Sequence, residues 1–214
     1  MAHPTVPTSL AEIAHPAHTA LVVWDMQAGI GAKAHNIAQL LPTLRSLLAS
    51  ARAAGVLVIW SRHVAPPLDL TTPSGLWSLM KRQQVNDRSQ LKPTMQIGTP
   101  DVEIIAELDP RPGEPIIEKS TPSFFVGTPL ELRLRAHGIT TLVLTGVSTE
   151  QGIEMTARHG LTLGFFAVVA EDAVGSFSAA AHELGLAYLR TAVDVVPAAQ
   201  VAEAWGASSS PRSR

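Results

Sequence analysis

The sequence predicts an α/β fold: a three-layer αβα sandwich around a six-stranded, mainly parallel, Rossmann-like sheet. Three observations predict it. Short apolar runs recur at 19–24, 56–60, 115–119, 140–145, 165–169 and 192–196, and runs of this length suit strands covered on both faces. Helical periodicity fills most of the intervals between them. The segments 52–55, 135–138 and 157–160 each close a helix with glycine just before a strand, which is βα alternation, and right-handed crossovers then give a parallel sheet.

Each element has its own signal. Ser9 and Glu12 have the spacing of a capping box for one helical turn before the first strand. The run Thr19–Trp24 is the first strand and ends in Asp25-Met26-Gln27. A carboxylate there falls at the C-terminal sheet edge, where open α/β sheets bind ligands. Gly29 and Gly31 make a loop, and Leu40, Leu44, Leu47, Leu48 and Ala51 recur at helical spacing. Pro42 either starts that helix or kinks it. The second strand, 56–60, is followed by Ser61-Arg62-His63, which read as pocket wall or substrate contact, or as a solvated loop.

Periodicity fails over 65–98, which is expected to hold at most one short helix and to act as a lid or an oligomer contact. A short helix opens at Thr99-Pro100 and ends by Asp109. The third strand ends in Glu118-Lys119, on the same edge as Asp25. Thr128-Pro129-Leu130-Glu131 reads as a capping box with proline at the first helical position, and Gly138 closes the helix. After the fifth strand come Glu171-Asp172, and Ser176 or Ser178 caps a helix through Tyr188. The domain is placed at 19–206, between an N-terminal segment, 1–18, and a disordered tail, 207–214.

Composition narrows the function. The 214 residues carry a net charge of −2 and are 46% hydrophobic, which suits a globular chain and gives no support for a nucleic-acid partner. No apolar stretch reaches membrane-span length and no signal peptide is evident, so a cytoplasmic protein without a membrane partner is expected. There is no cysteine, hence no disulfide and no thiol nucleophile. The eight histidines show no ligand spacing, so no metal and no cofactor is expected.

The most informative stretch runs from Leu142 through Gly146-Val147-Ser148-Thr149 to Gly152 and Arg158. It reads as a buried strand, a sharp turn and a helix, with Ser148 and Gln151 spaced as a capping box. Together with Asp25-Met26-Gln27 and Glu118-Lys119, this stretch resembles the isochorismatase-like hydrolases over about 19–196. Most of that family is similar in using an Asp-Lys-Cys triad to attack an amide or nitrile carbon. The resemblance places the aspartate at Asp25, the lysine at Lys119 and the cysteine at Gly152. It also implies a cis peptide between Val147 and Ser148, substrate contacts from Gln27, His63, Phe125, Ser148 and Gln151, and a homodimer or larger homo-oligomer.

Glycine at 152 is shared with the isochorismatase branch, which hydrolyses a vinyl ether without a covalent nucleophile. The resemblance therefore implies a hydrolase of a small, anionic metabolite. Asp25 would serve as acid/base with Lys119 and an activated water, and Gly152 would leave room for substrate. Ser148 stands where the chorismate-processing branch often has tyrosine, so a different substrate is expected. Two alternatives remain. One is an amidase or esterase using water or a hydroxyl (Ser120, Ser148, Thr149 or Thr156). The other is an inactive member of the fold that binds a small molecule.

Overall fold

The computed structural model describes residues 6–208. Its sheet has six strands: β1 Thr19–Trp24, β2 Leu57–His63, β3 Ile116–Lys119, β4 Thr141–Val147, β5 Phe166–Gly175 and β6 Asp194–Val196. They lie in the order β3-β2-β1-β4-β5-β6 and every pairing is parallel. The helices are α1 Leu10–Ile13, α2 Ile37–Ala53, α3 Pro73–Gln83, α4 Leu130–Ala136, α5 Glu154–Thr162, α6 Ala179–Leu189 and α7 Ala198–Ser208.

The period of two along β1 assigns the layers. Leu21 and Val23 face a core built with Leu40, Leu44 and Leu48 of α2 and Val201 and Trp205 of α7. Ala20, Val22 and Trp24 face the opposite core, with Leu130 and Leu134 of α4, Ala157 of α5 and Leu186 and Leu189 of α6. All six residues of β1 are buried, as a central strand covered on both faces requires.

Several boundaries differ from those the sequence predicts. Strand β2 runs on through Ser61, Arg62 and His63, which are strand residues rather than a loop. Strand β5 takes in Glu171 and Asp172, with a register irregularity opposite Leu144 and Gly146. Helix α2 begins at Ile37, so Pro42 lies inside it. The excursion over 65–98 contains the eleven-residue α3, longer than expected, with no buried residue. The helix expected from Thr99 is instead two 3₁₀ turns, Pro100–Val102 and Ala106–Leu108. Between them Ile104 bridges to Gln27.

Gly160 lies within α5, whose end is followed by Gly164 at φ +85°. The capping box expected at Thr128 is absent: Glu131 pairs with Arg135, and Thr128 accepts from the Leu130 N–H at 3.2 Å. Ser178, not Ser176, caps α6. Helix α7 takes in Ala207 and Ser208, where a tail was expected. The remainder of that tail, 209–214, and residues 1–5 lie outside the described residues. Among the described residues no helix is long and apolar enough to cross a membrane.

Candidate active site

The site forms at the C-terminal ends of β1, β2 and β3. Asp25 follows β1 directly and sits at φ +44°, which turns the chain sharply off the sheet edge. Lys119 ends β3, two strands away, and its Nζ donates to Asp25 Oδ2 at 2.6 Å. The strand between them supplies Ser61, whose Oγ donates to Asp25 Oδ1 at 2.5 Å and accepts from the Asp25 N–H at 2.9 Å. Both carboxylate oxygens are therefore acceptors. The side chains of Lys119 and Asp25 are 2% and 7% exposed. Burial pushes the Lys119 pKa down and the Asp25 carboxylate opposes that shift.

Ser61, read from the sequence as pocket wall, instead holds Asp25. Its signal was a hydroxyl immediately after an apolar run, and that reads equally well as the end of a strand.

His63, two residues beyond Ser61 on β2, is half-buried. Burial and the nearby Lys119 ammonium lower its pKa to about 4, against a smaller opposing effect of Asp25. Its imidazole is neutral at pH 7.

Gln27 does not have a substrate contact available. It is fully buried, its Nε2 donates to the carbonyls of His63 and Val102 at 3.0 and 2.8 Å, and its Oε1 accepts from the His63 N–H at 2.8 Å. The amide has used both of its protons on the backbone. It ties the end of β2 to the loop before β3 and so positions His63.

The turn after β4 contains a cis Val147–Ser148 peptide. Ser148 is buried and forms no side-chain cap, so the expected capping box with Gln151 is absent. The turn continues as a π-helix, Thr149–Ile153, whose wider turn changes the spacing that a capping box needs. Thr149 donates to the Gly175 carbonyl at 2.9 Å, and Gln151 is exposed. Thr156 accepts from the Phe124 N–H at 3.2 Å and is fully buried.

The largest difference from expectation concerns Gly152. A Cβ built there would lie 2.1 Å from Nε1, 2.2 Å from Cε2 and 2.5 Å from Cζ2 of Trp24. The room that glycine was expected to leave for substrate is occupied by the indole. Trp24 is 2% exposed, and Lys119 Nζ stands 4.1 Å from a Trp24 ring centroid, within cation–π range. Phe125, expected to touch substrate, is half-buried. It packs on His159 and Phe165 with ring centroids 5.2 and 5.8 Å apart. Its neighbour Phe124 meets Trp24 edge-on at 5.4 Å.

A cavity of about 460 Å³ opens beside the pair, lined by Lys119 and Ser120 together with Val64, Pro66, Ile97 and Val126. Asp25 is not among its lining residues. Among the described residues no group of three or more His, Cys, Asp or Glu side chains is arranged to hold a metal ion.

Comparison with known proteins agrees with this architecture. The isochorismatase domain family matches residues 19–200. A ureidoacrylate amidohydrolase, RutB, from Enterobacter sp. (strain 638) is 33% identical over 175 residues, covering 74% of this chain and 75% of that protein. A cysteine hydrolase from Pseudomonas syringae pv. phaseolicola 1448A superposes with a TM-score of 0.80 at 26% identity, covering 97% of this chain and all (100%) of that one. An isochorismatase family protein from Desulfovibrio vulgaris subsp. vulgaris str. Hildenborough gives a TM-score of 0.74 at 26% identity, over 88% of this chain and 98% of that one.

Proposed function

Because this chain belongs to the isochorismatase family of hydrolases, we propose that it hydrolyses a small, carbonyl-bearing anionic metabolite with water in the place of a covalent thiol. The observation that carries the reading is the buried Asp25–Lys119 pair, held at 2.6 Å with Ser61 on the second carboxylate oxygen. The hydrogen bonds to both carboxylate oxygens fix the orientation of Asp25 and leave each oxygen a further lone pair for water. Asp25 takes a proton from water, the resulting hydroxide bonds to the carbonyl carbon, and the proton passes to the leaving nitrogen as the C–N bond breaks. General-base catalysis of this kind contributes about 10²–10⁴-fold. Lys119 has N–H groups beyond the one given to Asp25, and it lines the cavity. These polarise the substrate carbonyl and hold an anionic group.

An amide or ureide bond is favoured because the ureidoacrylate amidohydrolase is 33% identical. Vinyl-ether hydrolysis with Asp25 as acid loses the support of an open space at Gly152. A hydroxyl nucleophile is disfavoured for Thr149 and Thr156, both fully buried and engaged. One observation favours a second reading, a binding protein without turnover: Trp24 fills the space beside Gly152 and the cavity stops at Lys119.

The test is a panel of N-carbamoyl acids, primary amides and enol-ether carboxylates, followed by ammonia and product release. Turnover of an amide or ureide that Asp25→Asn lowers by about 10²-fold or more supports the reading. Stabilisation by a panel member with no turnover establishes the binding protein instead. A homo-oligomer with the 65–98 segment at its contact completes the proposal. Leu70 and Trp77 there are 74% and 60% exposed, and sedimentation of the full chain checks it.

A further inference from the structure

Trp24 is set between two glycines. Gly146 lies opposite it in the β1–β4 register, and a Cβ there would approach the Trp24 carbonyl oxygen to 2.1 Å. On the other side, the three heavy atoms nearest to a Cβ at Gly152 all belong to the indole. Side-chain carbons do not come this close to other atoms, so the ring and any side chain at 152 exclude each other. The indole is held by the edge of Phe124 and by the Lys119 ammonium. One ring thus touches both the position without a side chain and the cation that holds Asp25.

We propose that Trp24 is the specificity-determining residue of this site. Its indole takes the volume that a side chain at 152, or a substrate group lying over the Thr149–Ile153 turn, would otherwise fill. Substrate is admitted only from the cavity side, as a group small enough to meet Lys119 without crossing the ring. Shortening Trp24 opens a second, apolar space against Phe124 and Gly152, with Lys119 at its margin, of the size of one aromatic ring. Dry apolar spaces of that kind take small aromatic molecules. In its placement of substrate the proposal rests on the function proposed above; its packing and binding consequences do not.

The experiment pairs Trp24→Val with Gly152→Ala and uses benzamide as the probe. In the parent chain Gly152→Ala should lower Tm by several degrees, because the new Cβ meets the indole. With Trp24→Val present the same change should be neutral or should raise Tm, since alanine is the better helix former. Benzamide should raise the Tm of Trp24→Val by several degrees and leave the parent unchanged. Trp24→Leu serves in the same cycle if Trp24→Val does not fold. Equal losses from Gly152→Ala in both backgrounds, or equal benzamide shifts in parent and variant, would overturn the proposal. If the cycle behaves as stated while the parent turns over no substrate in the panel, the proposed hydrolase activity fails and the exclusion of ligands from the Gly152 side by Trp24 stands.

Discussion

The hydroxyl of Ser61 secures Asp25 at two points, accepting from its backbone N–H at 2.9 Å and donating to its Oδ1 at 2.5 Å. The strained backbone at Asp25, φ +44°, is thereby tied to the neighbouring strand. Ser61→Ala leaves both groups buried without this partner, so a loss of about 1–3 kcal/mol in chemical denaturation is expected. Ser61→Thr retains the oxygen and should recover part of that loss.

Lys119→Met removes the cation from a pair that is almost wholly buried. Breaking such a pair by one partner costs about 3–5 kcal/mol, because the other charge stays behind uncompensated. Adding Asp25→Asn to Lys119→Met should return a large part of that stability. A double-mutant cycle by urea denaturation measures the coupling, and strict additivity would show that the two side chains do not interact in solution.

His63 gives the fold a directional response to acid. Unfolded, its imidazole takes up a proton near pH 6.5, whereas in the folded protein burial and Lys119 lower its pKa to about 4. Between those values the unfolded state binds more protons, so stability is fully present above about pH 6.5 and declines as pH falls toward 4. The full contribution is about 3 kcal/mol. His182 is shifted in the same direction, chiefly by burial, and adds to the decline. His63→Asn should flatten the stability profile over this window, measured by denaturation at a series of pH values.

Gln27→Ala deletes three hydrogen bonds to the backbone of His63 and Val102. The expected result is a loss of about 1–3 kcal/mol in stability, since buried backbone groups are left unpaired. Any effect on turnover should follow from displacement of His63. Selective loss of substrate affinity at unchanged stability would instead show direct contact with substrate.

That Asp25 and Lys119 meet was legible because each directly follows or ends an apolar run, and a parallel sheet brings such ends to one edge. Ser61 was harder to read, since the same hydroxyl after 56–60 fits a strand end or a strand that continues. Its meaning depends on the β1–β2 register. Gly152 declared a missing side chain, but the indole that fills the space comes from Trp24, far away in the chain. That contact depends on which face of β1 the tryptophan takes and on the approach of Gly146. Phe124 and Phe125 are adjacent and chemically alike; only the backbone direction, fixed partly by Thr156, sends the first to Trp24 and the second to His159. The Ser148–Gln151 spacing misled because a π-turn replaces the α-helical start.

The side chain missing at Gly152 has a chemical consequence outside structure. With no thiol in the chain, alkylating reagents, disulfides and peroxide have no cysteine to inactivate, and the carboxylate and ammonium at this sheet edge do not undergo thiol oxidation. Chemistry carried by those two groups would be insensitive to the thiol-directed reagents that silence sulfur-based hydrolases.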